Sequence, residues 1–231
     1  MPVSMILKRM KEMIEFGSFD FDLDLKPFQD EAEQALNGPS AKVTGSKGLN
    51  KFYNVEGESR RKLIEYFDDH FLKKLIWHVE YFNSGEPAGL HTDGAVYNEG
   101  CKTVVGVIIP LAYNTSKVPY TVTYDRVQTE YRKLMFKNGD MKYLDTGEVV
   151  NYRDKFEYDP LSLKHNPKGT LYYKQYADLK VHEEYEWKIG TMLVFDTQRW
   201  HSSSWFLSTP DLPSQLGEFK RSIIAFGDIK E

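Results

Sequence analysis

The sequence predicts a mainly β fold with helical cover, a sheet sandwich or barrel backed by helices. Fifteen tyrosines and fourteen phenylalanines against 16 glycines in 231 residues are a strand-rich composition, because aromatic side chains fit a pleated, half-buried surface. Helical spacing of apolar residues is concentrated in the first 75 residues. Beyond them the chain becomes short β-branched and aromatic runs separated by Gly, Pro, Asn or Asp. Helices first and short strands afterwards describe sheets with a helical backing.

Taken in order, "MPVSMILKRMKEMIEF" interleaves charges with apolar residues and has no small-residue cleavage site, so it reads as an amphipathic helix and not a signal peptide. In "FDFDLDLK" the residues Asp20, Asp22 and Asp24, with Glu31, match the outer ligand spacing of a calcium loop. The position that needs glycine is Leu25, however, and Pro27 follows. Phe19, Phe21, Leu23 and Leu25 form one apolar face, which makes the segment an amphipathic strand. In "ESRRKLIEYFDDHFLKKL", Leu63, Ile64, Phe67, Phe71 and Leu75 recur at helical spacing, and this face must pack on something. Strands are predicted at "LIWHVEYF", "KTVVGVIIPLAY", "GTLYYKQY", "YEWKIGTMLVFD" and "FKRSIIAFG".

Residues 113–186 hold eleven of the fifteen tyrosines, and twelve basic residues against twelve acidic ones. This reads as an uncharged strand-and-loop insertion, whose tyrosine density argues for order. With no linker or repeat in sight, residues 1–231 are read as a single domain with mostly helical cover over 1–75.

A net charge of −4 with no basic patch argues against nucleic acid and other polyanions. The single cysteine, Cys101, excludes an internal disulfide framework and fits a reducing compartment. No run reaches the length of a membrane span. A cytoplasmic location is the expectation.

The chemistry starts at "NSGEPAGLHTDGA". On an extended segment His91 and Asp93 point the same way, so an imidazole and a carboxylate can share one ion. Two histidines and one carboxylate on one side of a metal, with open positions opposite, form the usual mononuclear Fe(II) oxygenase site. A third, distant ligand is then required. His70 falls on the polar side of a helix, His165 and His182 in charged, solvated segments, and His78 in a strand that explains it without a metal. His201 follows "GTMLVFDTQRW", a glycine turn, a buried-looking strand and a polar bend, which places it at the mouth of a barrel. Arg221 shares a strand face with Phe219, Ile223 and Ala225. A guanidinium on an inward apolar face needs an anionic partner, and a small dicarboxylate would match its fork. The plainer alternative is an edge-strand arginine paired to a surface acid.

These residues resemble a known family. "HTD" at 91–93, "RWHSS" around His201 and "KRSIIAF" around Arg221 look like the H-x-D…H…R pattern of the 2-oxoglutarate and Fe(II)-dependent oxygenases. The lead-in, with Phe82, Gly85 and Gly89, is similar to the prolyl-hydroxylase-like branch, and "VVGVIIPL" and "GTMLVFD" resemble its strands. The resemblance covers residues 76–113 and 187–227, and leaves out the first 75 residues and the insertion. Two departures stand out: Phe82 occupies a position where many relatives carry a tyrosine, and the interval between His201 and Arg221 is long. The second leaves Lys220 or Arg221 to face inward, with strand alternation favouring Arg221.

The resemblance implies a double-stranded β-helix (jelly-roll, cupin-like) core, with Fe(II) on His91, Asp93 and His201. It also implies 2-oxoglutarate with its far carboxylate on Arg221, and O2, with ascorbate a further candidate. The expected reaction is hydroxylation coupled to decarboxylation of 2-oxoglutarate to succinate. Halogenation is not expected, since the family's halogenases lack the carboxylate that Asp93 provides. A prolyl or other peptide residue is the first candidate substrate, with a small molecule also open. Two other readings stand beside it: a cupin-like metal hydrolase or isomerase without 2-oxoglutarate, and a non-catalytic binding barrel.

Overall fold

The computed structural model describes residues 14–44, 49–71, 75–93, 101–128, 133–137, 140–150, 157–210 and 217–230. The amphipathic helix expected at the N-terminus lies almost wholly outside them. In chain order the elements are β1 (Gly17–Asp20), α1 (Lys26–Asn37), β2 (Lys42–Thr44), β3 (Asn50–Asn54), α2 (Gly57–His70), β4 (Ile76–Ser84), β5 (Cys101–Asn114) and β6 (Tyr120–Val127). There follow β7 (Leu134–Lys137), β8 (Asp140–Tyr143), α3 (Pro160–His165), β9 (Val181–Glu186), β10 (Thr191–Phe195), β11 (Arg199–Ser203) and β12 (Phe219–Lys230). The fold is mainly β with few helices, as the composition predicts.

Seven strands form the larger sheet in the order β1-β10-β5-β12-β4-β3-β2, and three the smaller, β11-β6-β9. β12 sits at the centre of the larger sheet, paired antiparallel with β4 from Lys220↔Ser84 to Asp228↔Ile76 and with β5 on its other side. Alternate residues of these strands serve two different layers. Val79, Tyr81, Val105, Val107, Ile109, Met192, Val194, Ile223 and Ala225 pack with Phe28, Ala32 and Leu36 of α1 and Leu63 and Phe67 of α2. The helical spacing seen in the sequence finds its partner here. Their neighbours Ile108, Phe195, Ile224 and Phe226 point the other way, into a cavity.

The smaller sheet closes that cavity, and its outer face is also covered. Val122, Tyr124 and Trp200 on it pack with Leu134, Met141, Tyr143, Tyr176 and Leu179. Two strands assigned from sequence to the insertion, β6 and β9, are thus integral to this sheet. What lies between them, the β7–β8 hairpin, α3 and the 3-10 turn Tyr173–Tyr176, is its cover. The strand expected at "GTLYYKQY" is this turn, entered past Gly169 at φ +94°. Its tyrosines fill the cover by packing on the sheet, and tertiary context overrides their strand propensity. The glycine turn before β10 is as expected, with Gly190 at φ +89°, a conformation that favours glycine.

One close approach fixes the cavity wall. A Cβ added to Gly106 on β5 would lie 2.3 Å from Phe195 Cζ, so the aromatic ring occupies the place of a side chain. Gly106→Ala is expected to displace Phe195 and cost about 1–3 kcal/mol, as overpacked cores do. Urea unfolding of the two proteins measures it.

Candidate metal centre

Residues 90–93 join the smaller sheet at the site itself. His91 and His201 exchange both backbone hydrogen bonds, each N–H to the other's carbonyl at 3.0 Å. The N–H of Asp93 donates to the Thr197 carbonyl at 2.9 Å. On the other side, His91 bridges Met135 of β7. The N–H of Thr92 donates to the Leu134 carbonyl at 3.0 Å, and the N–H of Leu134 to Thr92 Oγ1 at 3.0 Å. The "HTD" segment is therefore bridged on both sides, to β11 and to β7, with both its outer residues turned to the cavity.

The three residues picked out from sequence converge there. One ligand atom from each of His91, Asp93 and His201 lies within 4.8 Å of the other two. Asp93 Oδ2 is 3.0 Å from His201 Nε2 and 3.8 Å from His91 Nε2. Each ring is oriented by its other nitrogen: His91 Nδ1 meets the Gly89 carbonyl at 2.6 Å and His201 Nδ1 the Arg199 carbonyl at 2.8 Å. A carbonyl only accepts, so each Nδ1 donates to it and each Nε2 is the nitrogen turned to Asp93, where a metal would bind. Burial first, then the neighbouring His201, pushes the His91 pKa down to about 3 despite the pull of Asp93. Burial would raise the Asp93 carboxyl, but Lys133 and the two histidines together hold it well below its ordinary range. Two imidazole nitrogens and a carboxylate oxygen are a donor set that suits iron. Sequence expected His201 at a polar bend by the barrel mouth; it is instead buried within β11, in the wall.

Arg221 is the residue the structure moves. It lies on the helix-covered face of β12, where its Nη1 is ion-paired with Glu33 of α1 and its Nε is 3.4 Å from Asn83 Oδ1. Lys220, one position earlier, faces the cavity instead. Strand alternation held; the assignment of faces did not. Phe219, Ile223 and Ala225 share a face with Arg221, but that face is buried by helices, not by the barrel.

Lys220 is buried, donates to Ser203 Oγ at 2.5 Å and lies over the rings of Trp187 at 4.1 Å and Phe206 at 5.4 Å. Burial alone drives its pKa from 10.5 to about 7. The cavity it shares with the three ligands measures about 480 Å³ and is also walled by Phe52, Phe82, Tyr172 and Phe195. Phe82 stacks on Phe52 with centroids 4.5 Å apart. The glycines of the lead-in answer to close approaches: a Cβ on Gly89 would fall 2.8 Å from Gln175 Oε1, and one on Gly85 3.1 Å from the Leu49 carbonyl. Gln175 Oε1 in turn accepts the Leu90 N–H at 2.7 Å.

Sequence reasoning missed Lys133, whose Nζ is 3.0 Å from Asp93 Oδ1, together with Gln175 and Trp187. No spacing rule links them to the motif. Of the other histidines, His70 ends α2 with Nδ1 2.8 Å from the Tyr66 carbonyl. His165, expected to be solvated, is buried against Tyr120 with Nε2 2.6 Å from Glu184 Oε2.

No family model and no curated protein matches the sequence. Solved structures do match its fold. The epimerase SnoN, in complex with Fe3+, alpha ketoglutarate and nogalamycin RO, aligns with TM-score 0.55 at 11% identity, over 98% of this chain and 84% of that one. This chain shares its fold. A Pseudomonas putida prolyl-4-hydroxylase aligns at 0.52 and 8% identity, over 98% of this chain and 100% of that one. The alpha ketoglutarate-dependent carbocyclase SnoK from nogalamycin biosynthesis aligns at 0.54 and 7% identity, over 96% and 82%. Among the described residues no helix is long and apolar enough to cross a membrane.

A buried lysine carries a sign-definite prediction. From pH 7 to 10.5 the unfolded chain holds a proton that folded Lys220 has released, so stability rises with pH across that window. Lys220→Met should therefore unfold at a higher temperature than the parent at pH 6, without ligands, and the gap should close as pH passes from 7 towards 10. Thermal unfolding at several pH values measures it.

Proposed function

We propose that the protein is an Fe(II)- and 2-oxoglutarate-dependent dioxygenase that hydroxylates its substrate, and that residues 1–231 are one domain built on a double-stranded β-helix. The observation that carries this reading is the pairing, in one cavity, of three convergent donors, His91, Asp93 and His201, with a buried cation, Lys220. Connectivity supports the β-helix, since after β4 the chain passes between the two sheets: 90–93, β5, β6, β9, β10, β11 and β12.

Bound iron with 2-oxoglutarate and O2 supplies the oxidising power: the co-substrate becomes succinate and carbon dioxide, and a substrate C–H becomes C–OH. The rest falls to side chains of this chain. His91 and His201 offer Nε2 because backbone carbonyls hold their Nδ1 protons. Asp93 offers Oδ2. In this reading Lys220, not Arg221, takes the far carboxylate of 2-oxoglutarate. Among the described residues its ammonium reaches a hydroxyl and two π faces at close range, and a carboxylate would supply the charge partner that burial makes expensive to lack. Ser203 is placed to share that carboxylate. Ile108, Ile224, Phe195 and Phe226 keep water from this end of the cavity, which strengthens each charge interaction within it. The aromatic walls Phe52, Phe82 and Tyr172 suit an apolar ring, and a prolyl or other peptide residue remains the first candidate substrate.

Succinate release from 2-oxoglutarate with Fe(II) tests the reading. His91→Ala should abolish it. Lys220→Ala should raise the KM for 2-oxoglutarate roughly 10- to 100-fold, the worth of one charge-assisted hydrogen bond. Arg221→Ala should leave that KM unchanged and lower the unfolding temperature through the lost Glu33 contact. Wild-type protein that binds metal without consuming 2-oxoglutarate would instead point to cupin-like hydrolase or isomerase chemistry.

A further inference from the structure

We propose that Lys133 sets how Asp93 serves the metal, holding one carboxylate oxygen so that only the other is offered, and that its charge favours the dianionic co-substrate. The inference rests on the metal site proposed above. Its basis is a division of labour between two oxygens. Oδ1 of Asp93 is 3.0 Å from Lys133 Nζ, while Oδ2 faces His201 Nε2 at 3.0 Å and His91 Nε2 at 3.8 Å.

Lys133 is held in place by the sheet. The next residue, Leu134, exchanges hydrogen bonds with Thr92, and the Lys133 carbonyl accepts the Leu144 N–H at 2.9 Å. The β7–β8 cover thus delivers an ammonium beside the carboxylate of the neighbouring segment. Its side chain keeps 25% exposure, so the ion pair forms at the cavity wall without burying a lone charge.

Two consequences follow. A carboxylate tied by one oxygen binds as a single-point ligand, which keeps a further coordination position open for co-substrate or oxygen. A fixed cation beside the site also repels a divalent metal and attracts a dianion. Lys133 is accordingly a positioning residue that lowers metal affinity and raises co-substrate affinity.

Calorimetric titration with Mn(II), a redox-quiet substitute for Fe(II), followed by 2-oxoglutarate, separates these effects. Lys133→Met should bind Mn(II) about tenfold tighter and 2-oxoglutarate about tenfold more weakly, a few ångström's worth of charge interaction at intermediate dielectric. Lys133→Arg should behave as wild type. Lys133→Gln, which keeps a donor without the charge, should follow Lys133→Met and serves in its place if that variant does not fold. Parallel weakening of both ligands, or no change in either, overturns the inference and leaves Lys133 a structural contact. Failure of wild type to bind Mn(II), or undiminished binding by His91→Ala, overturns the metal site itself.

Discussion

The site depends on the reciprocal pair of backbone hydrogen bonds between His91 and His201. Residues that exchange both bonds across an antiparallel pair stand directly opposite, with side chains on one face. That single registration brings together two segments far apart in the chain and sets their rings 4.3 Å apart by centroid. The pleat does the rest. Asp93, two residues on, returns to the same face, and Thr92 between them turns outward to bond Leu134. A slip of one residue would rotate His91 and Asp93 out of the cavity, so the convergence of the three side chains depends on the pairing of 90–93 with β11 and β7. The H-x-D spacing is the sequence trace of this geometry.

β12 is covered on both faces, and this decides how it reads. An alternating strand is usually taken to have one inner, apolar face. In β12 the more apolar face, with Ile223 and Ala225, meets α1 and α2, while the cavity face carries Lys220, Ile224 and Phe226. Arg221 lies under the helical layer, and its guanidinium has an anion beside it, the 60% exposed Glu33. Lys220 has no acid beside it at close range among the described residues. The residue that looked in need of a ligand has a protein partner, and its neighbour is the one with a charge to satisfy.

The legible parts were those governed by local rules. Helical spacing, turn glycines and apolar strands identify α2, β4, β5, β10 and β12, and the polar triplet 91–93 with His201 picks out three side chains that converge. The three comparison folds agree with this mainly β reading. What stayed hidden depends on contacts across the chain. β11 is "RWHSS", too polar to announce itself as a strand, because its hydroxyls and imidazole line a cavity rather than a core. β6 and β9 are hidden among the tyrosines of their own cover. Lys133 sits in a charged stretch where nothing marks one lysine from the next, and only the pairing of Leu134 with Thr92 singles it out.

The cavity therefore holds positive charge at two points with different costs. Lys133 is matched by Asp93 and partly wet, so its charge is cheap to keep. Lys220 is dry, and the π faces of Trp187 and Phe206 return only part of the hydration it loses. Such a group survives in a fold only if the surrounding structure is stable without its help, and the central place of β12, paired along its length on both sides, supplies that surplus. The same pairing keeps Lys220 from swinging out to solvent, because its backbone is fixed opposite Ser84 and Tyr113. A cation that can neither hydrate nor leave lowers its cost by releasing its proton or by taking up an anion.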